Sequence, residues 1–133
     1  MTGSQLGREG AQRRLRVHLA LIDGGVAPVV ARYREHIACR PGCSEGCHQT
    51  FRVSELEGEL LRAGLAAATP AVQTEIVARA AAYQPGRGEA CPALAVDGTC
   101  QVYEHRPRIC RKYGIPLWHP ARPEELSTCR LNF

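Results

Sequence analysis

The chain has 133 residues, a formal charge of +4 and 44 % apolar content, enough for one domain with a modest core. Only two Phe, one Trp and four Tyr serve as large anchors, so a ligated metal would stand in for core that the chain lacks. Four thiolates around a divalent centre would bring the charge down to about +2, which is not the balance of a dedicated nucleic-acid binder, and no apolar run reaches the roughly 18 residues of a membrane span.

At the N-terminus, MTGSQLGREGAQRR is basic, yet no apolar signal-peptide core follows it, and Glu9 argues against a transit peptide. The odd count of seven cysteines argues against a complete secreted disulfide framework. A reducing cytoplasm is the expected location. Ala11, Leu15, Leu19 and Ile22 recur at helical spacing and mark one apolar face. Gly24-Gly25 is expected to stop that helix, and a second helix with Pro28 in its first turn to run to about Ala38 through Val29, Val30, Tyr33 and Ile37.

From Cys39 to Gln49 the periodicity breaks. Cys39, Cys43 and Cys47 could share a helix face, but Pro41, Gly42 and Gly46 favour a coiled loop wrapping a metal. Ser54 opens a capping box with Glu57, and Leu56, Leu60, Leu61 and Leu65 form the stripe of a helix over roughly 55–67. Thr69-Pro70 reads as an N-cap and first helical residue, with Val72, Ile76, Ala80 and Tyr83 on the buried face of a helix over 70–83. The simplest arrangement of these two is an antiparallel pair.

Beyond Gln84 the chain turns to short elements. Leu94, Ala95 and Val96, then Asp97-Gly98, then Cys100, Val102 and Tyr103 predict a β-hairpin. Pro107 can start a short helix that carries Cys110 and ends at Gly114, and a helical turn is expected after Pro123. The fold class is therefore mainly α: a small helical domain with a short β-hairpin and irregular cysteine-rich loops around a metal centre. It is organised as a helical part over 1–38, a core over 39–113 and a tail over 114–133.

Six cysteines fall into two groups, Cys39, Cys43, Cys47 and Cys91, Cys100, Cys110, with Cys129 apart. Thiols grouped this way point to zinc or an iron–sulfur cluster, the 4Fe-4S type included. A Cys-x3-Cys-x3-Cys loop can present three ligands and leave the next position to a distant residue. The paired Cys-x2-Cys units of zinc ribbons are missing, and ferredoxin spacings do not match.

The stretches CRPGCSEGCHQ and CPALAVDGTCQVYEHRPRICRKYG resemble the YkgJ-type cysteine-cluster family of zinc- or iron-chelating domains. Cys91 to Leu94, Gly98, Cys100, Val102-Tyr103-Glu104, Arg106-Pro107 and Cys110-Arg111 follow the family's second block, and the resemblance covers about 39–113. It implies Cys39, Cys43, Cys47, Cys91, Cys100 and Cys110 as metal ligands. Where the family has adjacent cysteines this chain has Gly46-Cys47, so one ligand is missing or is supplied elsewhere, with His48 and Cys129 as candidates. Related clusters in flagellin lysine methylases keep an iron–sulfur centre among the expectations.

Other residues have plainer readings. Arg106, Arg108, Arg111 and Lys112 flank Cys110 and read as a solvated face compensating thiolate charge, or else as an anion-binding rim. Glu55, Glu57 and Glu59 suit a helix's first turn, Tyr103-Glu104 a hairpin–helix junction and Trp118 a packing site. His18, His36, His105 and His119 read as surface or partly buried residues. The functional expectation is a metal-binding protein with a redox or group-transfer role, iron–sulfur ahead of zinc. The rivals are a structural-zinc interaction module and a disulfide-stabilised protein. No protein or small-molecule partner, oligomeric state or catalytic residue can be read from the sequence.

Overall fold

The computed structural model describes residues 3–37, 45–129 and 132. Helix α1 spans Gly3–Arg32 without a break, so Gly24-Gly25 do not stop it and the separate helix expected from Pro28 is its last part. Neither glycine takes a positive φ, and both lie in open space. A helix tolerates such a glycine at a cost of about 1 kcal/mol, and the usual glycine stop needs a left-handed backbone that neither residue takes. Pro28 removes the hydrogen bond to residue 24 and crowds that carbonyl, and a glycine there gives the backbone room to adjust. A single 3₁₀ turn, Arg34–His36, follows α1 and leads to the buried Ile37.

Helix α2, Glu55–Ala67, starts where its capping box predicts. The Ser54 hydroxyl oxygen accepts from the Glu57 N–H at 3.1 Å, while the Ser54 N–H donates to the Glu57 carboxylate at 3.2 Å. Helix α3, Pro70–Ala82, is capped by Thr69 with proline in its first turn. It touches α2, and Gln73 donates back to the carbonyls of Ala66 and Ala68. The hydrophobic centre lies instead between α1 and α2: Leu15, Leu19 and Leu60 are buried together, with Ile22 and Leu56 packed against them. This core is thin, since no large side chain among the described residues falls below 2 % exposure.

The expected hairpin at Asp97-Gly98 is a tight reversal with one antiparallel bridge, Leu94 to Cys100. Gly98 takes the positive φ of 87° that the turn needs, and Asp97 accepts from both the N–H and the hydroxyl of Thr99. The ladder cannot lengthen, because Pro92 has no N–H and the Cys91 N–H is used elsewhere. Helix α4, Arg108–Lys112, carries Cys110 and gives way to Gly114 at φ 86°, as the sequence predicts.

The regular hairpin lies in the tail. Strand β1, Leu117–His119, pairs antiparallel with β2, Arg122–Ser127, so a strand replaces the helical turn expected after Pro123. Both strands of a two-stranded sheet have a free edge, where proline is tolerated. Trp118 is 60 % exposed and does not pack into the core; its indole N–H donates to the Pro123 carbonyl at 3.1 Å. No helix among the described residues is long and apolar enough to cross a membrane.

Candidate metal centre

Four thiols come from three segments of the chain. Cys47 sits in the 3₁₀ turn Glu45–His48, Cys91 and Cys100 lie on either side of the Asp97-Gly98 turn, and Cys110 is on α4. The Cys91 N–H donates to the Cys47 carbonyl at 2.6 Å and joins the two cysteine groups directly. Cys110 reaches solvent on one side, yet atoms packed about its sulfur desolvate the thiol and raise it to about 11, and the neighbouring charges of Cys91, Cys47 and Cys100 push the same way against the pull of Arg106. Cys100 is also raised, first by burial and then by Cys91, with the Val102 backbone and Arg106 acting in opposition. Cys110 therefore feels Cys91, Cys47 and Cys100 as like charges, and Cys100 feels Cys91, the condition that a bound cation reverses.

Side chains from three helices hold this arrangement. Arg79 of α3 donates to the Pro92 carbonyl at 2.7 Å and to the Gln101 side chain, and Gln101 in turn donates to Glu75 at 3.2 Å. The Cys91–Cys100 turn is thus fastened to α3. Arg111, whose side chain is 8 % exposed, pairs with Asp23 of α1 at 2.7 Å and donates to the carbonyls of Arg106 and Glu104. With its fork committed in this way, Arg111 belongs to the frame and not to an anion-binding rim. Arg106 stacks on Tyr103 at 3.7 Å from the ring centre and reaches the Cys110 carbonyl, so it is the cation nearest the thiols.

Glu57 joins two helix starts. It is buried at 3 % exposure and, besides completing the α2 capping box, accepts the Arg108 N–H at 2.7 Å and pairs with the Arg108 guanidinium at 3.6 Å. Burial alone would raise its carboxyl. The hydrogen bonds from Arg108 and Ser54, with the Arg108 charge, outweigh burial and hold it below the ordinary carboxylate value. The capping box was legible in the sequence; the second acceptor role, toward α4, was not. Arg79 was also missed, and its only signal is an isolated cation in an alanine-rich helix.

The remaining candidates lie differently. Cys39 and Cys43 fall outside the described residues. His48 is exposed at the end of its turn. His105 packs against Gly64 of α2, where an added Cβ would meet its ring at 2.8 Å. Cys129 is buried beside the Gly114 carbonyl, which accepts from the Cys129 N–H, the Thr128 hydroxyl and the Asn132 amide. Gly46 lies under the ring of Tyr113. Among the described residues no cysteine, 47, 91, 100, 110 or 129, is in a disulfide.

Among the described residues no three His, Cys, Asp or Glu side chains already stand at ligand spacing. The donor set still fits a zinc or iron–sulfur centre in its chemistry, because soft thiolates select those centres and Cys47, Cys91 and Cys100 all lie within charge range of Cys110. Any thiol held protonated must release its proton on binding, so metal uptake is coupled to proton release.

A helical scaffold that gathers thiols from separate turns defines a cysteine-cluster domain. The chain belongs to the family described as "CxxCxxCC: Putative zinc- or iron-chelating domain", whose model matches residues 38–129. The match continues past Tyr113, where the sequence resemblance ended, and takes in the tail hairpin and Cys129. No curated protein and no solved structure matches the chain.

Proposed function

We propose that the chain holds one metal centre on the thiolates of Cys47, Cys91, Cys100 and Cys110, with Cys39 and Cys43 as further ligands, and that this centre is an iron–sulfur cluster. The observation that supports the reading is that three segments meet here: the Cys91 N–H donates to the Cys47 carbonyl at 2.6 Å, and Cys47, Cys91 and Cys100 lie close enough to Cys110 for their charges to act on it. An all-sulfur donor set suits iron–sulfur chemistry, and the exposure of Cys110 leaves one side of the centre near solvent, as a redox or group-transfer role needs. The bound group would supply electron transfer or an open coordination position. The chain's own part is to fix the thiols through Arg79 and Arg111 and to offset their charge with Arg106.

The second reading is structural zinc, and the thin core favours it: a ligated ion would supply cohesion that Leu15, Leu19 and Leu60 alone provide sparingly. Purification without oxygen, followed by metal and sulfide analysis, separates the two. The iron–sulfur reading expects a brown protein with iron and acid-labile sulfide. A colourless protein with stoichiometric zinc supports the structural role, and one with neither metal contradicts both.

A further inference from the structure

We propose that the ring of Tyr113 takes the place of the cysteine that the family pattern puts beside Cys47, so that the Gly46–Tyr113 pair restricts the metal centre to the remaining thiolates. The inference rests on the metal-centre reading above. The family's CxxCxxCC pattern ends in two adjacent cysteines, and at the matching spacing after Cys43 this chain has Gly46-Cys47.

Gly46 is not needed for its backbone conformation, because it is not among the glycines with positive φ. It is needed for space. A Cβ at position 46 would lie 2.9 Å from Cδ1, 3.2 Å from Cγ and 3.4 Å from Cε1 of Tyr113. These atoms are on the inner side of the ring, not at a flexible tip, so relief requires the whole ring to move. Two features restrain that movement. Phe51 packs on the Tyr113 ring at 5.6 Å between centres, and the next residue, Gly114, is the carbonyl on which Thr128, Cys129 and Asn132 converge.

Both members of the pair adjoin proposed ligands: Gly46 precedes Cys47, and Tyr113 follows Cys110 by one helical turn. An aromatic wall therefore stands where a further thiolate would add negative charge. The replacement leaves the centre with fewer thiolates, less anionic and better shielded from water on that side.

The test uses the full chain, stripped of metal and reconstituted with Co²⁺ under anaerobic conditions, as wild type, Gly46→Cys, Tyr113→Ala and the double variant. Cobalt per chain, the intensity of the thiolate-to-cobalt charge-transfer band and the thermal midpoint are read for each. Wild type and Tyr113→Ala should share one stoichiometry and one band intensity. Gly46→Cys alone should melt roughly 5 °C or more below wild type with no gain in band intensity. In the double variant the band should intensify, or cobalt per chain rise, and the steric loss should be relieved, giving a non-zero coupling in the cycle.

A Gly46→Cys protein with wild-type stability and a stronger band would overturn the proposal, as would a double variant with an unchanged band and stoichiometry. If wild type takes up no cobalt, the metal-centre reading falls. The steric claim is then still judged by the stability cycle of the metal-free proteins, where additivity would overturn it.

Discussion

The two cysteine groups have three cysteines each, and Cys47, the one described member of the first, is held by different means from the second group. The Cys91–Cys110 block is fastened by side chains from outside it: Arg79 from α3, Asp23 of α1 through Arg111, and Glu57 of α2 through the start of α4. The Cys47 end of the first group meets that block through one backbone hydrogen bond from Cys91 and through Gly46 lying under Tyr113. Side chains of the scaffold thus fasten the second group at several points, whereas Cys47 meets it through few contacts to which a shared metal would add. Stability of the block and occupancy of the centre should therefore respond to different mutations.

The largest effects should fall on the thiols. Cys100→Ala and Cys110→Ala are each expected to lose most bound metal, as read by metal analysis after anaerobic purification; full stoichiometry in both would contradict the ligand assignment. Next comes Arg111→Ala, which takes the donor from two carbonyls and leaves Asp23, half-exposed, to water, and should cost about 2 kcal/mol in urea unfolding. Arg111→Lys should recover little of this, because one ammonium cannot reproduce the three-way fork.

Glu57→Gln should cost about 2 kcal/mol, since the amide presents one acceptor oxygen to groups that now share a carboxylate. Its pH dependence has a definite sign. The folded-state value of Glu57 lies below its ordinary 4.5, so the stabilisation is complete above that pH and is lost as pH falls through the depressed folded value. The slope of stability against pH in this acid range should be shallower in Glu57→Gln than in wild type. Smaller still, Trp118→Ala on the exposed tail hairpin should change unfolding free energy by about 0.5 kcal/mol or less and leave metal content untouched.

Much of the fold was legible in the sequence where local chemistry decides structure. Ser54 with Glu57, Thr69 with Pro70, and the Leu15–Leu19 stripe marked helices that form at those places. Reading failed where a local signal was overridden. Gly24-Gly25 reads as a stop, yet α1 continues because neither glycine turns left-handed. The Asp97-Gly98 turn forms, but Pro92 and the commitment of the Cys91 N–H to Cys47 keep it from growing into a ladder.

For the candidate site, the cysteine types and spacing pointed to the family whose model matches the chain, because clustered thiols without a paired disulfide pattern suit a metal. The fastenings were not legible. Arg79 to Pro92, Arg111 to Asp23 and Tyr113 over Gly46 join residues distant in sequence, and no periodicity or turn signal encodes such contacts.

The most direct test of the metal centre is cysteine-by-cysteine alkylation, followed by mass spectrometry, on metal-loaded protein and on protein verified as metal-free. Cys47, Cys91, Cys100 and Cys110 should be protected together in the loaded protein and become reactive together once the metal is removed, while Cys129 stays slow in both because it is buried. Cys110 is the sharpest reporter, because it reaches solvent where Cys129 does not. Equal labelling of these four thiols in loaded and metal-free protein would contradict the account.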